Sequence, residues 1–165
     1  MTEFSIRDAV ETDLEAMRAI LNKEIRETTA TWTTVERSPR AMRRWWMDLR
    51  RDGYPTLVAR DGGRLLGYAA YARFRTWPGY WRTAENTVYV HEDARGMGVG
   101  RGLLTALCTR AKHQGLTNMV GVIGADSEGS LALHAACGYV EVGRLPGVGA
   151  KFGEVLDMVM MQKVL

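Results

Sequence analysis

The chain has 165 residues, 46% of them hydrophobic and 25% charged, with 22 Lys and Arg against 19 Asp and Glu for a formal charge of +3. That profile describes one globular domain over residues 1–165, long enough to bury about 70% of its unfolded-chain surface without metal or disulfide staples. The basic residues form no block dense enough to track nucleic-acid phosphates, and the apolar runs Leu65–Ala72 and Met119–Ala125 are far shorter than the roughly 20 residues that cross a bilayer.

The N-terminus, with Glu3, Arg7, Asp8, Glu11 and Asp13 among apolar residues, does not resemble a secretory leader, so a cytoplasmic protein is expected. Residues 4–7 read as a short strand. Leu14, Met17, Leu21 and Ile25 then recur at helical spacing, with Thr12 as the expected N-cap and Glu15 at the capping-box position. Thr28 to Thr34, polar and β-branched around Trp32, suits a loop. Ser38-Pro39 opens a second helix, whose stripe of Met42, Trp45, Trp46 and Leu49 faces inward while its arginines face water.

Thr56–Arg60 and Arg64–Phe74 flank Asp61-Gly62-Gly63, a hairpin signal. An aromatic loop, Trp77-Pro78-Gly79-Tyr80-Trp81, precedes a strand over Asn86–Val90. A Gly-rich turn and a helix carrying Leu103, Leu104, Leu107 and Ala111 follow. The remaining elements are a strand at Met119–Ile123, a helix at Ser130–Cys137 and strands at Tyr139–Val142 and Val155–Met161. The fold class is therefore α/β with a largely antiparallel sheet. Cys108 and Cys137 sit in apolar helical patterns and are expected as buried reduced thiols. His91, His113 and His134 make no ligand pattern, so no metal is expected.

The segment between the central strand and its helix carries the chemistry. Glycines at a strand-to-helix junction let the backbone approach a ligand, and the free N–H groups of the helix start suit a pyrophosphate. A dinucleotide fingerprint fails because Arg101 and Leu103 stand where its last glycine is required, and no Gly-Lys-Ser/Thr follows for a Walker loop. What fits is Arg95-Gly96-x-Gly98-x-Gly100 directly after Val88-Tyr89-Val90. This resembles the pyrophosphate-binding segment of the GNAT acyl-CoA N-acyltransferases. Ser130-x-x-Leu133-His134-x-x-x-Gly138-Tyr139 resembles their second segment, where a helix packs beside the pantetheine arm. Within that superfamily, Arg75-x-Trp77-x-Gly79-Tyr80-x-x-Thr83-x-Glu85-x-x-Val88-Tyr89-Val90-His91 and Gly147-x-Gly149-x-Lys151-Phe152-Gly153-x-x-x-Asp157 resemble the phosphinothricin and methionine sulfone or sulfoximine N-acetyltransferases.

The resemblance implies a mixed, mostly antiparallel sheet flanked by helices, acetyl-CoA as cofactor, direct transfer to an amino acid, and a homodimer. It implies cofactor contacts at Val88, Tyr89, Val90, Arg95, Gly96, Met97, Gly98, Val99, Gly100 and Arg101, and at Ser130 and Ser127, the latter standing where relatives usually carry Asn. Acetyl transfer needs a neutral amine, so a carboxylate must help deprotonate the acceptor ammonium. Glu85 occupies the position the family assigns to that base. The Val90 N–H is a candidate donor to the thioester oxygen. His134 stands where many members place a thiolate-protonating Tyr, and as a lone helical His it serves equally well as a packing or hydrogen-bonding residue. Arg75, assisted by Arg73, and Lys151 are expected to hold the acceptor's carboxylate and polar end, with Trp77 and Tyr80 as walls and Trp32 as a further candidate. Trp77, where phosphinothricin-type members often carry a basic residue, tilts the acceptor toward methionine sulfone. The alternatives are a protein N-terminal or polyamine acetyltransferase, which would want a wide acidic cleft, and a non-catalytic acyl-CoA-binding module.

Overall fold

The computed structural model describes residues 4–165. The elements in chain order are β1 (Ser5–Asp8), α1 (Leu14–Glu27), α2 (Pro39–Arg51), β2 (Thr56–Asp61), β3 (Arg64–Arg73), β4 (Thr83–Val90), α3 (Val99–His113), β5 (Asn118–Gly124), α4 (Glu128–Ala136), β6 (Val140–Lys151) and β7 (Glu154–Val164). The seven strands form one sheet in the order β1-β2-β3-β4-β5-β7-β6, antiparallel at every step except the parallel pair β4–β5. No described helix is long and apolar enough to cross a membrane.

Strand alternation gives the sheet two apolar faces, each covered by helices. On one face, Leu103, Leu104 and Leu107 of α3 are completely buried against Ala69, Tyr71, Ala84, Met119 and Val159. On the other, Met17, Leu21 and Ile25 of α1 join Met42 and Trp46 of α2 over Val58, Leu65 and Tyr68. The Ser38 hydroxyl caps α2 by accepting from the Ala41 N–H at 3.1 Å, and Pro39 follows at the first helical position, as the sequence indicates.

The entry to α1 differs from the expected Thr12–Glu15 cap. Residues Glu11–Asp13 form a 3-10 turn, and the Asp13 carboxylate accepts from the Val10 N–H at 2.9 Å. Glu15 instead pairs with Arg18 in solvent. Asp13 is 1% exposed and is held by Arg7 and Arg60 at 2.6 Å each. Burial pushes its pKa up, but the bonds from Arg7, the Val10 amide and Arg60 outweigh this and leave it below the ordinary carboxylate value. Both arginines are partly exposed and can return to water, so Asp13→Asn is expected to cost about 1–2 kcal/mol at neutral pH by urea unfolding, mainly from the lost charge-assisted hydrogen bonds. Because the folded pKa is depressed, this contribution is in place above the unfolded pKa and is lost as pH falls through the folded value. The gap between variant and wild type should therefore narrow in acid.

The last hairpin is longer than expected: β6 runs to Lys151 rather than ending near Val142. Gly143, Pro146, Gly147 and Gly149 hide the strand pattern, and two register shifts against β7 absorb them, between Glu141 and Gly143 and between Leu145 and Gly149. Pro146 is tolerated because β6 is an edge strand with one hydrogen-bonded neighbour. The Asp157 carboxylate takes up the Gly147 N–H at 2.8 Å inside the second shift.

Candidate active site

The sheet is forked. β4 and β5 pair only from Thr83–Asn118 to Asn86–Gly121, after which β4 continues along β3 to Val90 and β5 continues along β7 to Gly124. His91 N–H donates to Leu66 O, so alternation turns Tyr89 toward β3 and aims the backbone N–H groups of Val88 and Val90 into the gap. A cavity of about 810 Å³ fills the fork, walled by β4, β5, the N-terminal ends of α3 and α4, and residues 28–32.

One wall is the glycine turn. Gly96 and Gly98 take the left-handed conformation, with φ of 75° and 81°, and Gly98 is the N-cap of the 15-residue α3 without a side-chain bond. None of the backbone N–H groups of residues 96–101 donates to a protein acceptor among the described residues. A row of free amides at a helix start is an anion cradle, and it fits the diphosphate of a coenzyme A thioester. Gly100 serves packing instead, since a Cβ there would lie 3.0 Å from Leu133 of α4.

Among the residues expected to hold cofactor, Val88, Tyr89, Val90, Arg95, Gly96, Gly98, Val99, Gly100, Arg101, Ser127 and Ser130 all line this cavity, whereas Met97 does not and is 38% exposed. The Arg95 side chain is engaged by Glu24 of α1 at 2.5 Å. Glu85 also lines the cavity, near the base of the fork beside the last β4–β5 pairs. Burial raises its pKa, and the Arg75 guanidinium, 3.7 Å away, partly opposes the rise. Arg75 is held in place over the Phe74 ring and by the Phe74 carbonyl at 2.7 Å.

Four expectations need correction. His134 lines the cavity but is 2% exposed, with Nδ1 2.8 Å from Ser130 O and Nε2 2.9 Å from the Asn86 amide nitrogen. Tyr139 donates to Asn86 Oδ1 at 3.0 Å, which orients that amide and makes its NH₂ the donor to Nε2. Burial lowers the pKa of His134, against the Ser130 carbonyl. The ring is thus a neutral Nδ1–H tautomer with its proton committed, a packing and hydrogen-bonding residue rather than an acid. Lys151 is 3% exposed and spends its ammonium on backbone carbonyls, so it offers no charge to an acceptor. Arg73 pairs with Ala84 and shares the face of Tyr71, opposite to Glu85, because β3 ends there and the chain turns before Arg75. Trp77 and Tyr80 lie outside the cavity wall and are 74% and 43% exposed, Tyr80 packing edge-on to Phe74.

Residues the sequence did not single out are Glu24, Thr28–Thr31, Asn86 and Met158, all at the cavity or in its supporting bonds. Only Trp32 of the 28–32 stretch was a candidate, and it does line the site. A polar, β-branched run between two helices was the available signal.

A forked mixed sheet with a row of free amides beside the fork defines a class of protein built to receive an elongated anionic ligand there. The model of the Acetyltransferase (GNAT) family matches residues 17–139. The chain is 46% identical over 162 residues to the L-methionine sulfoximine/L-methionine sulfone acetyltransferase of Pseudomonas aeruginosa, covering 96% of this chain and 92% of that protein. Among solved structures, a ribosomal-protein-alanine N-acetyltransferase from Brucella melitensis superposes with a TM-score of 0.95 at 40% identity, covering 98% and 99% of the two chains. A phosphinothricin acetyltransferase from Sinorhizobium meliloti in complex with AcCoA gives 0.95 at 34%, covering 100% and 89%. The chain belongs to the GNAT acetyltransferase family, and its cofactor is acetyl-CoA.

Proposed function

We propose that this enzyme N-acetylates the α-amino group of a small amino acid or analogue of the methionine sulfone and methionine sulfoximine type, by direct transfer. The observation that carries the reading is Glu85: a carboxylate of raised pKa in the fork, with Arg75 beside it. A raised pKa makes the carboxylate a stronger base for the acceptor ammonium. Arg75 stands beside Glu85 just outside the cavity lining; it is half exposed, and with Nη1 engaged by the Phe74 carbonyl the rest of its fork is left to take a carboxylate, which an amino acid has and a polyamine lacks. The amides of residues 96–101 hold the diphosphate, and the Val88 and Val90 N–H groups face the acyl end of the gap, where the Val90 N–H stabilises charge developing on oxygen. When bound, acetyl-CoA would supply the thioester: Glu85 would take the ammonium proton, the freed nitrogen would bond to the acetyl carbon as the C–S bond breaks, and the coenzyme A thiolate would leave to take a proton from solvent.

The relatives' names support the substrate class, one of them a methionine sulfoximine and methionine sulfone acetyltransferase. Acetylation cancels the ammonium charge such analogues share with ordinary amino acids, consistent with a detoxifying role in the cytoplasm. Release of the coenzyme A thiol should be measured with methionine sulfone, methionine sulfoximine, phosphinothricin, the common amino acids, spermidine and an alanine-ended peptide. The sulfone and sulfoximine are expected to lead the panel by at least tenfold in kcat/KM. Preference for the peptide or for spermidine would overturn the reading.

We further infer a homodimer. Trp77 and Trp81 in the β3–β4 loop, and Val140, Val142, Val148, Phe152 and Val155 on the last hairpin, are large apolar side chains each more than half exposed. A second copy is the occupant that the resemblance implies. A monomer mass by sedimentation at micromolar concentration would refute it.

A further inference from the structure

We propose that Lys151 is a positioning residue for the acceptor site: from the edge strand β6 it pins residues 28–32 across the cavity. The inference rests on the amino-acid acetyltransferase reading and concerns a residue that reading leaves without a role. The Lys151 ammonium reaches Thr28 O at 2.5 Å, Thr31 O at 2.6 Å and, more weakly, Glu24 O at 3.4 Å. An ammonium has three protons, and these three carbonyls account for all of them. Two of the carbonyls belong to the C-terminal end of α1 and its cap, where a cation is favoured.

The pinned segment is itself a wall. Thr28, Thr29, Ala30, Thr31 and Trp32 all face the same cavity as Glu85. It is fastened at two further points: the Thr29 hydroxyl donates to the Asp126 carboxylate beyond β5, and Trp32 packs against Gly149, where any Cβ would overlap its ring. Lys151 and Gly149 are alternate residues of one strand, so β6 supplies both a cationic pin and a bare surface for the same strap. The strap's near end also reaches the cofactor side. Glu24 accepts from the Thr28 hydroxyl at 2.8 Å and from Arg95, the residue preceding the glycine turn.

Removing the pin should therefore loosen the acceptor's wall while leaving the amides of residues 96–101 untouched. In the full-length protein, Lys151→Met is expected to raise the KM for methionine sulfone tenfold or more and to change kcat and the acetyl-CoA Kd by less than about threefold. Hydrogen exchange should quicken at residues 28–32 and stay unchanged at 96–101, a readout that does not depend on turnover. The ratio of kcat/KM for methionine sulfone over its primary amide separates pinning from contact. It is expected to be preserved in Lys151→Met and to collapse in Arg75→Met. A collapsed ratio in Lys151→Met, an unchanged acceptor KM, or unchanged exchange at 28–32 would each overturn the proposal. Should Lys151→Met not fold, Gly149→Val displaces Trp32 from the same strand and is expected to give the same KM and exchange signature, with an unchanged signature counting against the strap. Absence of turnover by the wild type with any amino acid would instead defeat the substrate reading, and the exchange result would still decide the pin.

Discussion

Glu85→Gln is expected to lower kcat/KM for the amino-acid acceptor by about 10²- to 10⁴-fold at neutral pH, the usual range for losing a general base. Gln keeps the size and polarity of the side chain, so acetyl-CoA affinity and thermal stability should stay near wild type. The pH profile carries the sharper information. Glu85 must be ionised to accept a proton, and burial raises its pKa against the opposing charge of Arg75. The acid limb of the wild-type rate therefore lies above the ordinary carboxylate range, with activity rising as pH climbs through it. In Arg75→Met the opposing charge is gone, burial acts alone, and the limb should move to still higher pH. In Glu85→Gln the limb should disappear, leaving a rate that rises with pH as the acceptor amine loses its own proton. A Gln variant with wild-type rates across the pH range would remove Glu85 from the chemistry.

Gly98→Val is expected to weaken acetyl-CoA binding by about tenfold, with a smaller loss of thermal stability. Gly98 has φ of 81°, and a Cβ there meets nothing within 4 Å, so the obstacle is backbone strain and not crowding. Holding an L residue in the left-handed region costs about 1–2 kcal/mol, more when β-branched, and the turn can relieve that strain by rotating its amides away from one another. If the free N–H groups of residues 96–101 grip the diphosphate, a loss of about 1.4 kcal/mol in the cradle reads as a tenfold rise in Kd by calorimetry. Dephosphorylated pantetheine thioesters, lacking that diphosphate, should show little difference between variant and wild type. Equal acetyl-CoA affinity in the two proteins would mean that the amides do not bind the diphosphate.

The sequence determined every element with a strong local period or a specific breaker. The stripe from Met17 to Ile25, the Ser38-Pro39 cap, the Asp61-Gly62-Gly63 hairpin and the glycine turn before Leu103 all stand where the pattern puts them, because 3.6- and 2-residue periods and turn chemistry act over a few residues. The row of free amides was legible for the same reason, since its donors lie on consecutive residues. The rest was set by distant partners. β6 is interrupted by glycines and a proline, and only its pairing with β7 shows that it continues to Lys151.

Charge alone could not say whether a lysine or histidine faces a ligand. Lys151 is claimed by Glu24, Thr28 and Thr31, more than a hundred residues earlier in the chain, and His134 by Asn86 and the Ser130 carbonyl. Arg73 is expected to assist Arg75, but its place near the end of β3 turns it to the face opposite Glu85 while Arg75 stands beside that carboxylate. Residue type and spacing specify which groups can donate, accept or ionise. The tertiary structure decided which of them are already partnered, because a buried polar group must find its partner inside the protein, and that partner is fixed by packing.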